Sequence, residues 1–228
     1  MKTLISAILL LWAMENAWAQ DCLVSSYFKK NSKLEFRTTD EGGKLQTRVE
    51  YEVIETKSTG NHVEAVVKST VFDKKEKQLS TADVVYQCTG SEFRMNMRSY
   101  VPAQQTQGMK DMQVKADDSY LIFPRNMTTG SRLPDGNFHL ETSMNGMKIM
   151  SLNLSVTDRQ VVGKESVTTP AGTYDCLKIT TRQQMKSVMS FDYETTEWYA
   201  PSNGIVVKTE LYRKGKLQSI SQLTKLIN

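Results

Sequence analysis

Apolar and polar side chains alternate along most of this chain with the period of two that marks half-buried strands. Lys33 to Thr39 alternates first, and Asp40-Glu41-Gly42-Gly43 turns the chain. Leu45, Thr47, Val49, Tyr51 and Val53 then share one side, with Gln46, Arg48, Glu50 and Glu52 on the other. Gly60-Asn61 is a two-residue hairpin signal, and Val63, Ala65, Val67 and Val71 resume the alternation. Thr81 to Thr89 and Glu92 to Val101 form the next pair around Gly90-Ser91, with Phe93, Met95 and Met97 facing in. The pattern predicts an up-and-down antiparallel meander.

Pro102 to Asp118 breaks the rhythm. Met109, Met112 and Val114 stand there at near-helical spacing, which predicts a short helix or a loop. A brief strand, Tyr120 to Phe123, precedes a turn-rich connection from Pro124 to Gly136. Asn145-Gly146 joins Asn137 to Met144 with Met147 to Asp158 and is the strongest short hairpin signal in the chain. The stretch from Val161 to Leu211 organises the rest. Val161 to Thr168, Tyr174 to Met185, Met189 to Tyr199 and Ile205 to Leu211 read as four strands. Pro170 and Gly172 mark one of their turns, and Pro201 and Gly204 another. Lys214-Gly215 leads into a last strand, Leu217 to Leu226. About 11 or 12 short strands with no crossover helix predict an all-β fold: one antiparallel, strongly curved sheet or half-barrel, with one short helix or long loop in its middle.

The N-terminus reads as a targeting segment. Met1-Lys2 is positive, Leu4 to Met14 is almost unbroken apolar sequence, and Ala17-Trp18-Ala19 supplies small residues before a cut ahead of Gln20. The apolar run falls short of the about 20 residues that span a bilayer. The expected division is a signal peptide over residues 1–19 and a single β domain over 20–228, with no transmembrane segment in the mature chain. Cys22 lies close behind the cut, but Asp21 stands where a lipid-anchored protein needs a small residue, so an anchor at Cys22 is not expected. An exported protein, periplasmic or extracellular, is. An oxidising compartment would pair two of Cys22, Cys88 and Cys176; the sequence leaves open which two, and three reduced buried thiols remain an alternative.

The net charge of +4 is interspersed rather than blocked. No basic face with interleaved aromatics is visible, so nucleic acid is not an expected partner. No catalytic residue is assigned. His62 opens a strand beside a turn, and His139 sits in a strand as a rim or hydrogen-bonded residue. No His/Cys/Asp spacing suits a metal, no Gly-x-Ser-x-Gly elbow occurs, and no Gly-rich loop opens a helix, so no metal or cofactor is expected. Asp192, Glu194 and Glu197 share one strand and read as a solvated face.

Ten methionines remain after the signal. Methionine is a flexible, polarisable filler that suits surfaces adapting to varied apolar partners. Met95 and Met97, with Met109 and Met112 on a lid, are candidate lining of a hydrophobic groove; packing of an irregular core is the alternative. Trp198 and Tyr199 put one ring on each face of their strand, one anchoring the core and the other lining a cavity or edge, and both join the candidate ligand-binding set.

Two segments carry a resemblance. Val167-Thr168-Thr169-Pro170-Ala171-Gly172-Thr173-Tyr174-Asp175-Cys176-Leu177-Lys178-Ile179 is the first. Glu197-Trp198-Tyr199-Ala200-Pro201 with Gly204-Ile205-Val206 and Lys208 is the second. In this order they resemble the TapB-like family of exported, β-rich bacterial proteins of unknown function. The second turn also resembles one in lipoprotein-carrier half-barrels of the Gram-negative periplasm, a likeness of fold. The resemblance implies a bacterial envelope protein without implying an activity. The expectation is therefore a non-enzymatic protein that binds an apolar small molecule, a lipid or another envelope component in its concave face. A structural or adhesion module acting through strand edges, and an enzyme acting on envelope polymers, are the alternatives.

Overall fold

The computed structural model describes Cys22 and residues 25–101 and 113–228. The expected signal peptide and the candidate lid residues Met109 and Met112 lie outside the described residues. Within them, the chain forms one antiparallel sheet. Its strands are β1 (Lys33–Asp40), β2 (Leu45–Thr59), β3 (His62–Asp73), β4 (Gln78–Cys88), β5 (Glu92–Asn96), β6 (Gln113–Ala116) and β7 (Tyr120–Pro124). Then follow β8 (Gly136–Met144), β9 (Met147–Thr169), β10 (Gly172–Lys186), β11 (Ser190–Ala200), β12 (Ile205–Arg213) and β13 (Lys216–Ile227). The spatial order is β6-β8-β9-β10-β11-β12-β13-β1-β2-β3-β4-β5-β7. First and last segments of the chain therefore meet in the middle of the sheet, where β1 pairs with β13.

The all-β expectation holds, with four differences in detail. The sheet has 13 strands rather than 11 or 12. Met147 to Asp158 and Val161 to Thr168 are one strand, because Asp158 takes a positive φ of 52° and the ladder with β10 absorbs the irregularity as bulges. A bulge bends a strand and sharpens its twist without ending it. Glu92 to Val101 ends early as a strand. The Asn96 side chain accepts a hydrogen bond from Arg98 N (2.9 Å) and turns Met97–Tyr100 into a 3-10 turn. Finally, Gln113–Ala116, expected within a helix or loop, pairs with β8 as an exposed edge strand.

Register shifts in most of the strand pairs curl the sheet until its two ends approach. β7 lies against β8 without ladder hydrogen bonds: a Cβ added at Gly136 would come 2.5 Å from Leu121 Cδ2 and 2.8 Å from Met97 Sδ. Only a glycine admits that approach. The interior of this end is filled by an aromatic cluster. Tyr27, in the buried 3-10 turn Ser26–Phe28, meets Tyr86 at 4.7 Å and Tyr51 at 6.1 Å, and Phe93 links this group to Phe123.

The cysteine question resolves into a Cys22–Cys88 disulfide with Cys176 buried and free. The bridge pins the N-terminal segment to the end of β4. Ser25 is packed against Gly204, whose φ of 62° and 2.8 Å clearance to the Ser25 side chain both exclude a Cβ. Gly204 N donates to Ala200 O at 2.9 Å, closing the turn that Pro201 begins.

Candidate functional site

Of the expected ligand residues that are described, Met95, Met97, Trp198 and Tyr199 do not share one cavity. Met95 and Met97 point inward as their alternation requires, but both are buried in the core, and Met97 packs on Gly136 and beside Leu121. Trp198 and Tyr199 lie on opposite faces, as expected. Tyr199 stacks on Phe123 at 5.0 Å on the inner face. Burial pushes its hydroxyl up to about 12. It lines a cleft of about 600 Å³ beside the disulfide, with Phe28, Phe93 and Arg125.

Trp198 covers the outer face. Its cross-strand partners are Lys178 and Lys208, whose Nζ atoms lie 5.3 and 4.4 Å from the ring centroid. Its indole N–H donates to Glu165, which also pairs with Lys178 at 3.2 Å. The Trp198 hydrogen bond and then Lys178 hold the Glu165 carboxyl below the usual range. The ring is thus covered by the stems and charges of its neighbours, an arrangement that long cationic side chains favour.

Sequence reasoning missed the polar centre of the interior. Glu197, read as part of a solvated face with Asp192 and Glu194, is 1% exposed. The correction follows from parity. Asp192 and Glu194 sit at even positions of β11, while Glu197 shares the inward odd face with Thr195 and Tyr199. Arg159, unremarked in the sequence, is 2% exposed and reaches in from the kink after Asp158. Its Nη1 donates to Ile122 O (2.9 Å) and Pro134 O (2.7 Å), and its guanidinium lies 4.8 Å from the Phe123 centroid. One side chain of β9 thereby fastens the β7 end of the sheet.

Burial raises the Glu197 carboxyl, opposed by Arg159 and by the hydrogen bond from Tyr100. Burial likewise lowers Arg159. Beside this pair the Thr181 and Thr195 hydroxyls share a hydrogen bond of 2.5 Å. The arrangement holds charge inside a β core. It lacks a nucleophile aligned with a base, and among the described residues no group of three or more His, Cys, Asp or Glu is placed to hold a metal ion. His139 is satisfied by Asn153 at 2.8 Å. The Cys176 thiol is pushed up to about 11 by burial, which keeps it protonated at neutral pH.

A different surface stands out along the half of the sheet away from the aromatic cluster. On β1, β2, β3 and β12 the inner positions there are Phe36, Thr38, Thr47, Val49, Ser69, Val71, Thr209 and Leu211. All are half-buried and uncharged, and charge enters at the rim of this face, where Asp73 pairs with Thr47 and the Arg213 guanidinium lies 4.9 Å from the Phe191 centroid. The outer positions of the same strands carry Arg37, Arg48, Glu50, Lys68, Lys208 and Glu210, knit by pairs such as Arg48–Glu76 at 2.6 Å. Among the described residues no second layer covers this inner face.

No curated protein matches the sequence. Among solved structures, a candidate exported protein with a YmcC-like fold from Bacteroides fragilis superposes with a TM-score of 0.75 at 26% identity, over 88% of this chain and 97% of that one. A candidate lipoprotein from Parabacteroides distasonis gives a TM-score of 0.74 at 20% identity, over 88% and 96%. Neither carries the TapB-like name. The model of the DUF3108-like family matches residues 29–223, and the chain belongs to that family.

Proposed function

We propose that this is a non-enzymatic binding protein of the bacterial envelope, holding the apolar part of an amphipathic molecule against the uncharged inner face around Val49 and Val71. The observation that carries the reading is that no second layer covers this face among the described residues. A sheet with one apolar face ordinarily buries it against another element. Here the half lined by Phe36, Val49, Val71 and Leu211 has hydroxyls and aliphatic groups, charge only at its rim, and no cover among the described residues.

Location in the envelope is supported by the N-terminal pattern, by the Cys22–Cys88 disulfide, which belongs to oxidising compartments, and by similar structures described one as a candidate exported protein and one as a candidate lipoprotein. The Cys22 sulfur that a lipid anchor would need is engaged in that disulfide. Free soluble protein is the proposed form.

The test is native mass spectrometry of protein purified from its own envelope, followed by titration with a fluorescent fatty-acid probe. A retained apolar mass and saturable probe binding are expected. Replacing Val49 and Val71 together by Ser removes apolar contact and is expected to weaken the probe about tenfold. Probe binding that is absent, or indifferent to the double substitution, sinks the reading and favours a module acting through its strand edges.

A further inference from the structure

The two ends of the sheet differ in chemistry. Following the strands, the connections β2–β3, β4–β5, β9–β10 and β11–β12 lie at one end. Residues 59–62, 89–91, 169–172 and 200–205, which form them, include no Lys, Arg, Asp or Glu. The connections β1–β2, β3–β4, β8–β9, β10–β11 and β12–β13 lie at the other end, where the uncovered inner face opens. Their residues 40–45, 73–78, 144–148, 186–190 and 213–216 hold nine Lys or Arg against four Asp or Glu.

Two of these five tips are apolar and unburied. Val188 is 95% exposed, Met147 66% and Met189 65%, with Met144 and Ile149 also exposed. They come from neighbouring hairpins: Lys186 pairs with Asn153, six residues from Met147. At about 3.3 Å per residue the β8–β9 hairpin therefore projects about 20 Å past that pair. Aliphatic side chains at the ends of projecting turns bury nothing within the fold. The exposed Lys186, and Lys148 with its partner Glu141 at 2.8 Å, flank them, and Lys214 and Lys216 stand on the β12–β13 tip.

We propose that this rim docks on an anionic phospholipid surface, with the Met144–Met147 and Val188–Met189 tips entering the headgroup region and the lysine-rich tips meeting lipid phosphates. Apolar groups that dip into the interface, backed by cations drawn to anionic lipid, form the pattern of peripheral membrane attachment. The charge asymmetry selects this occupant: a purely apolar partner would leave the lysine excess unmatched, and a cationic partner would be repelled. The inference deepens the binding reading, since it sets the open inner face directly above the source of an acyl chain.

The experiment is flotation of the full chain with vesicles of phosphatidylcholine, with and without phosphatidylglycerol. Binding to the anionic vesicles that weakens as salt is raised is expected. The pair Met147→Asp and Val188→Asp, at exposed turn positions that leave folding intact by circular dichroism, is expected to lower partitioning at least about tenfold. Lys214→Glu with Lys216→Glu should lower it on anionic vesicles alone. Both variants should keep wild-type affinity for the soluble fatty-acid probe, whereas the Val49 and Val71 variant should bind the probe about tenfold more weakly and still float. Equal flotation of wild type and the Asp variant, or none by either, overturns the proposal. So does a sedimentation result in which the wild type is a dimer that the Asp variant splits without any vesicle binding.

Discussion

Arg159 ties β9 to Ile122 of β7, a strand with which β9 shares no ladder, and to the Pro134 carbonyl. Replacing it by Met leaves Ile122 O and Pro134 O without their donor and removes the cation that favours the ionised Glu197. A buried acceptor left without its donor costs about 1–3 kcal/mol, so Arg159→Met should lower the unfolding free energy from chemical denaturation by at least that amount. The loss should also depend on pH. Glu197 has a folded pKa raised by burial, so the fold favours its protonated form. That contribution is present below the ordinary carboxylate range and is lost as pH rises through the raised value. Without Arg159 the value rises further, so the gap between variant and wild type should widen from about pH 5 to about pH 8. Denaturation curves at the two pH values decide it, and a gap that narrows with rising pH would contradict the assignment. Gly136 offers a second residue-scale test. A methyl group there meets Leu121 and Met97 well inside contact distance. Gly136→Ala should cost about 1–3 kcal/mol by overpacking, and Met97→Ala in the same chain should recover part of it.

Among the elements, the disulfide and the long β9 strand show how constraints replace a second layer. Cys22–Cys88 closes a loop of 66 residues and ties down a segment held otherwise by the short 3-10 turn and Ser25. A loop of that length corresponds to about 4 kcal/mol in the chain-entropy account. Cys22→Ser and Cys88→Ser should therefore destabilise equally, and their double variant no more than either alone; Cys176→Ser should stand apart from both in a thermal melt. Strand identity was readable here because alternation at period two is local. For the same reason the run from Met147 to Thr169 reads in sequence as two strands that part after Asp158. A positive φ and a turn look alike in sequence, and whether the chain bulges or reverses depends on the β10 residues across the ladder. The four residues Gln113–Ala116 became a strand only because β8 offered an edge.

For the whole molecule, curvature decides what the interior is. The curled sheet fills one half with Tyr27, Tyr86, Phe93, Phe123 and Tyr199, and among the described residues nothing covers the other half. This explains why the methionines divide between the two readings open to them. Met95 and Met97 fall in the filled half and became core, while Met144, Met147 and Met189 fall at hairpin tips on the open rim. Alternation, hairpin turns, the paired motifs of β9 to β12 and the opposite facing of Trp198 and Tyr199 are properties of neighbours in sequence, and the chain alone dictates them. The Cys22–Cys88 pairing, the burial of Glu197 opposite Arg159, the glycine contact at 136 and the charge asymmetry of the two ends join residues far apart in sequence. Those were settled only when the register shifts between strands had accumulated into a curl, because each shift depends on two strands at once and a linear pattern records one.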